Sequence, residues 1–309
     1  MWNPIKALWA LLDRWPLDSR PAESVETMKP AKVEPARPTK PNPAIRRKRR
    51  LAVCVGISRY INSPENTLPN ARNDGVSWER ELKRRGWTVL RLLLDYDATK
   101  GAILDALGEL CYEIGPEDAG LLTLAGHGVP VPHPNEPDGK VEAFCPSDLM
   151  LDYPRNALTA YDVAERARTI GAGGLLAIFA DCCYPTPKDP ERLRALRMSL
   201  RQPPIRSFTL PASLLTHPSP GAVRSFQDHM REVVPAAWEH TIMIGAARWD
   251  QPSSDGSGDN GAATEAGLLS LDAGSFAGIH AAMTRRMRGR YEQIPCLVGS
   301  PANVKEVLF

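Results

Sequence analysis

The feature that most constrains this chain is a set of short, almost wholly apolar segments separated by stretches of helical spacing. Leu51 to Ile57, Gly120 to Ala125, Leu175 to Ala180 and Thr241 to Gly245 are strand-length and lack the polar alternation of a half-exposed strand, so each reads as a strand buried on both faces. Between them, Val76 to Arg85 has helical periodicity and stops at Gly86, and Trp87 to Leu94 reads as a further strand. Thr99 is an N-cap candidate for a helix through Cys111, and Thr159 to Ile170 and Ser275 to Arg286 are two more helices. Strands and helices in alternation predict a three-layer α/β/α sandwich with a mostly parallel central sheet. Chemistry in such sheets gathers at the carboxyl ends of the strands, where Gly126-His127-Gly128 and Asp181-Cys182-Cys183 fall.

The charge divides the chain differently. The net +2 over 309 residues combines +7 in residues 1–50 with −5 in the remainder, which holds 26 basic and 31 acidic residues. An acidic globular part argues against a nucleic-acid-binding core. Residues 1–16 contain Trp2, Ile5, Leu8, Trp9, Leu12 and Trp15 mostly on one face of a short amphipathic helix, open to docking on a partner, on a membrane surface or on the chain's own domain. Residues 17–50 form a Pro-rich basic linker, expected to be disordered, ending in Arg46-Arg47-Lys48-Arg49-Arg50; this run reads as a solvated flank to the first strand or, more sharply, as a protease-accessible site with Arg50 a processing candidate or as a nucleic-acid contact. No apolar run approaches the ~18 residues of a transmembrane helix, and no secretory signal is read at the start. Six cysteines without paired CxxC spacing point to free thiols in a reducing compartment, so the expected location is cytoplasmic.

A thiol needs a base at neutral pH, and an imidazole at a neighbouring strand end supplies one. His127 and a cysteine of the Asp181-Cys182-Cys183 segment can form such a dyad, although buried cysteines are usually inert small hydrophobes. The glycines beside His127 permit close approach of a substrate backbone and leave the Gly128 N–H available, with that of the cysteine, as an oxyanion hole.

Leu124-Ala125-Gly126-His127-Gly128 resembles the His-Gly motif of metacaspases and other caspase-like cysteine peptidases, and Phe179-Ala180-Asp181-Cys182-Cys183 resembles their cysteine motif. Further segments are similar in the same order: Leu51 to Ile57, Leu68 through Asn73-Asp74, Cys145 to Asp148, Asp250 to Asp255, Gln293 to Pro295 and Gly299 to Pro301. The resemblance spans 51–309 and implies the caspase-haemoglobinase fold, with a large-subunit part at about 51–187, a cleavable loop at about 187–215 and a small-subunit part at about 216–309. It assigns the nucleophile to Cys183, the base to His127, the oxyanion hole to Gly128 and Cys183, and an acidic pocket for a substrate arginine to Asp74 and Asp181. From the residues alone, Asp74 could instead cap a helix and Asp181 could bond local amides. Tyr184-Pro185-Thr186 departs from the family's His-Ser-Gly after the nucleophile.

The expected activity is cleavage of proteins with exposed Arg, Lys being weaker, under the control of proteolytic processing. Arg194, Arg197, Arg201 and Arg206 are processing candidates for the chain itself or an upstream protease; the same stretch also reads as a basic helix with surface arginines. Relatives of this kind act in signalling, defence and cell-death cascades. No cofactor is expected, and calcium stays open because Asp138, Asp148, Asp152 and Asp189 lack a paired-Asp match. Two other readings compete: a catalytically silent caspase-like scaffold, and a nucleotide-binding α/β domain, against which stands the lack of a glycine-rich phosphate loop.

Overall fold

The computed structural model describes residues 49–132, 140–182, 206, 208, 240–247, 251–300 and 302–309. All belong to one unit, Pro43–Phe309. The segment 1–16 and nearly all of the linker lie outside the described residues.

Strands β1 (Arg50–Gly56), β2 (Thr88–Leu94), β3 (Ala119–Ala125), β7 (Leu175–Asp181), β8 (Thr241–Gly245) and β9 (Cys296–Gly299) form one six-stranded sheet in the order β2-β1-β3-β7-β8-β9. The first five strands are parallel and only β9 runs antiparallel, against β8. The apolar runs occupy the middle of this sheet: every residue of β3, β7 and β8 is buried, whereas the edge strands β2 and β9 are mostly half-buried. Successive residues point to opposite faces. Val53 and Val55 join Leu122, Leu124, Leu176 and Ile178 on one face, under α2 (Lys100–Glu113) and α3 (Ala160–Ala167). Ala52, Cys54, Leu121, Ala177 and Phe179 face the other way, under α1 (Ala71–Arg84), α4 (Ala262–Leu268) and α5 (Phe276–Met287). Two cores on one sheet make the expected three layers.

The capping chemistry read from the sequence fixes the helix starts. Thr99 Oγ1 accepts from the Ala102 N–H, Thr159 and Asp162 form a reciprocal capping box, and Ser275 Oγ accepts from the Gly278 N–H. Helix α1 departs from expectation by beginning at Ala71 rather than near Val76. Its first turn contains Asn73, Asp74 and Gly75, poor helix formers, and Asn70 gives it no side-chain cap. Packing holds it instead: a Cβ on Gly56 would meet Gly75 N at 3.0 Å and Arg72 O at 3.1 Å, so strand and helix touch backbone to backbone. That contact brings Asp74 over the end of the sheet.

Three features carry no simple periodic signal. A small antiparallel sheet joins β4 (Gly128–Pro132), β5 (Lys140–Phe144) and β6 (Leu158–Thr159), α4 lies between β8 and the helix expected from Ser275, and β9 is a short edge strand. No described helix is long and apolar enough to cross a membrane.

Candidate active site

The site begins with strand adjacency. Because β3 and β7 are neighbours in register, Ala125 faces Asp181, and the Gly126 N–H donates to the Asp181 carbonyl at 3.2 Å. His127 follows at the end of one strand and Cys182 at the end of the other, both buried. Cys183, the next residue in the chain, lies outside the described residues.

His127 is held on several sides. Its N–H donates to the Tyr60 hydroxyl at 2.8 Å, its carbonyl accepts from the Cys145 N–H at 3.0 Å, and its Nε2 lies 2.8 Å from the Asn66 carbonyl. A carbonyl oxygen only accepts, so Nε2 carries the hydrogen and the lone pair of the neutral ring sits on Nδ1. This is the tautomer a general base at Nδ1 requires. Away from the strand ends, burial pushes the Cys54 and Cys111 thiols up to about 12, which keeps them protonated and inert.

Asp74 and Asp181 face one buried guanidinium, that of Arg206, and a third carboxylate, Asp255, joins them; all four side chains are essentially inaccessible to solvent. Arg206 Nε and Nη2 donate to Asp255 Oδ1 at 3.0 and 2.8 Å, Nη1 donates to the Asp181 carbonyl at 2.9 Å, and Nη2 also donates to Asp74 Oδ2. The carboxylates are themselves fixed. Asp74 Oδ1 accepts from the Gly261 N–H at 2.8 Å, and Asp181 Oδ2 accepts from the N–H and hydroxyl of Thr264, each at 2.8 Å. Asp255 Oδ2 accepts from the Asn70 N–H at 2.9 Å, while Gln293 bonds Ser253 Oγ, the Ser254 N–H and the Ala246 carbonyl and so holds the loop that carries Asp255. Gly261 must be glycine, because a Cβ there would overlap the guanidinium and lie 2.7 Å from Asp181 Oδ2. Asp74 therefore does not cap α1; its carboxylate faces out of the helix into this pocket.

Three carboxylates around one guanidinium leave an excess of negative charge away from water. Burial pushes the Asp74 carboxyl up to about 8, with Arg206 opposing and the Asp181 charge reinforcing, and burial also raises Asp255. Burial acts to lower the Arg206 guanidinium, but Asp181, Asp74 and Asp255 outweigh it and hold it well above its ordinary range.

The Arg206 backbone is bound as well. Its N–H donates to the Ser253 carbonyl at 2.9 Å, and its carbonyl accepts from the Gly128 N–H at 3.1 Å. Two residues on, the Phe208 N–H donates to the Gly128 carbonyl at 3.1 Å. Of the other arginines expected as processing sites, Arg194, Arg197 and Arg201 lie outside the described residues. Arg50 is the first residue of β1, with its guanidinium donating to the Leu308 and Arg85 carbonyls, and β1 is paired on both edges; this placement does not favour cleavage after Arg50.

For calcium, Asp138 and Asp189 lie outside the described residues. Asp148 accepts from the Lys100 N–H and from Asn156, and Asp152 pairs with Arg155 at 3.6 Å. Among the described residues no three His, Cys, Asp or Glu side chains cluster as metal ligands. Asp255, Tyr60 and Asn66 are the members of the site that spacing alone misses. Asp255 lies in the segment similar to the family's small-subunit loop, but nothing in that segment says which of its polar residues turns inward.

No protein-family model matches the sequence, and no curated protein does. Solved structures do match. Protein GSU0716 from Geobacter sulfurreducens aligns with a TM-score of 0.60 at 22% identity, covering 84% of this chain and 100% of that one. Caspase-1 from Spodoptera frugiperda aligns with a TM-score of 0.52 at 11% identity, covering 88% of this chain and 94% of that one. With the mostly parallel six-stranded sheet flanked by helices, these matches define a caspase-like fold.

Proposed function

We propose that this protein is a cysteine endopeptidase that cuts after Arg, with Lys weaker, and that its activity is controlled by processing after Arg206. The observation that carries the reading is Arg206 itself. Its guanidinium fills a pocket of three carboxylates while its carbonyl sits on the Gly128 N–H and its own N–H is held by Ser253, the way a substrate residue before a cleaved bond would be held.

The chemistry needs four groups. The Cys183 sulfur attacks the carbonyl carbon of the arginine and gives its proton to Nδ1 of His127, while the N–H groups of Gly128 and Cys183 hold the developing oxyanion. The carbon–nitrogen bond breaks and the imidazolium returns the proton to the departing amine. Water then attacks the thioester, freeing the carboxylate and restoring the thiol. The hydrogen bond from Nε2 to Asn66 keeps the ring oriented through both steps. No cofactor is needed for this sequence, and the free thiols among the described residues suit a reducing, cytoplasmic setting. A protease blocked by its own chain fits a cascade in signalling, defence or cell death, with exposed arginines of other proteins as substrates.

Fluorogenic peptides ending in Arg, Lys or Asp test the specificity, with preferential release after Arg as the expected result and preference for Asp as the overturning one. Labelling with an arginyl chloromethylketone and mass mapping should place the adduct on Cys183; labelling elsewhere or nowhere favours a silent scaffold.

A further inference from the structure

Phe208 has a place of its own. It is 5% exposed, and its ring meets Tyr60 edge-on at a centroid distance of 5.2 Å and 79°, and His127 at 5.7 Å and 89°. Tyr60 and His127 pack on each other at 5.4 Å and 32°, so the three rings form one cluster. The backbone is tied in the same place: the Gly128 N–H donates to the Arg206 carbonyl and the Gly128 carbonyl accepts from the Phe208 N–H, each at 3.1 Å. Arg206 and Phe208 therefore mark two fixed points, one on each side of the Arg206–Ser207 peptide bond.

We infer that Tyr60 and His127 form a subsite for an aromatic side chain two residues beyond the cleaved arginine, and that Phe208 fills it in the intact chain. The inference rests on the arginine-directed peptidase reading and adds the second half of the recognition sequence: arginine, one intervening residue, then an aromatic. Quadrupole geometry explains why aromatic rather than merely apolar. Phe208 lies nearly perpendicular to both Tyr60 and His127, the edge-to-face arrangement in which the positive rim of one ring meets the negative face of another, which an aliphatic side chain cannot reproduce. The contact also reaches the dyad, because the imidazole that Phe208 packs against is the one that must protonate the departing amine. Residues on this side of the bond thus influence turnover as well as binding, and Arg206 and Phe208 both occupy the site and present it with a favoured pair of side chains.

Internally quenched peptides containing Arg-Ser-Phe, Arg-Ser-Leu, Arg-Ser-Ala or Ala-Ser-Phe, assayed below saturation with the full chain and with its Arg206→Ala variant, test this. That variant leaves the arginine pocket empty. Cleavage of Arg-Ser-Phe about tenfold faster than both Arg-Ser-Leu and Arg-Ser-Ala supports the subsite. Equal cleavage of the three arginine peptides overturns it while leaving arginine specificity standing. Cleavage of none of them by either protein overturns the peptidase reading and the subsite together. In the chain itself, the fragment beginning at Ser207 should form about tenfold more slowly in Phe208→Leu than in Phe208→Trp; equal rates in the two, both of which are large and apolar, would also overturn the proposal.

Discussion

Residue 255 shows how a single carboxylate can decide what a pocket holds. Asp255 takes two donors of the Arg206 guanidinium on one oxygen and is anchored from behind by Asn70, through the backbone N–H and through Nδ2 to the Asp255 carbonyl at 2.6 Å. Asp255→Asn keeps an acceptor for the Asn70 N–H but removes a buried charge, so kcat/KM for arginyl peptides should fall by about a hundredfold or more with the fold intact by circular dichroism. Asp74 gives a pH test whose sign is fixed by its raised value near 8. Between the ordinary carboxylate range and that value, the folded protein keeps a proton that the unfolded chain has lost, so the stability tied to this proton is complete at low pH and is lost as pH rises to about 8. In a Cys183→Ala background that prevents self-cleavage, melting temperatures from pH 5 to pH 8 should fall more steeply for Asp74 than for Asp74→Asn; parallel curves would refute the assignment. Asp74 and Asp181, which the structure brings to Arg206, were singled out only through the similarity of their motifs, and Asp255 lay in a similar segment without being singled out within it. Spacing reports which residues share an element, whereas Asp74 and Asp255 come from distant segments.

The central strands and the capped helices were readable because their signals are local: uninterrupted apolar residues for β1, β3, β7 and β8, and Thr99, Thr159 and Ser275 at helix starts. What escaped depends on tertiary support. The first turn of α1 is helical because Gly75 can lie against Gly56, and α4 is held by burial of Ala262, Ala263 and Ala266 in the core on that face of the sheet. Gly56→Ala should cost about 1–3 kcal/mol in urea unfolding, because the new methyl meets backbone atoms that have no rotamer to change. The same substitution should raise KM for arginyl peptides, since α1 carries Asp74.

Across the whole molecule, position 206 falls between β7 and β8, which are neighbouring parallel strands paired from Leu176↔Thr241 to Ala180↔Gly245. A cut after Arg206 therefore divides the chain without dividing the sheet. The fragments should separate on a denaturing gel yet elute as one species in size exclusion, held by the β7–β8 pairing, by hydrogen bonds such as those from Thr264 to Asp181, and by the core shared by α1, α4 and α5; independent elution would contradict this. By itself the sequence determined the layered α/β/α architecture, the strand ends that carry His127 and the Asp181-Cys182-Cys183 segment, and a basic segment among whose arginines it could not choose. These follow from local periodicity and short motifs. Only the tertiary structure placed Arg206 among the carboxylates of Asp74, Asp181 and Asp255 and set Phe208 against His127. Those relations join residues far apart in the chain, and they exist only where the sheet order and the packing of α1 bring buried charges close enough to satisfy one another.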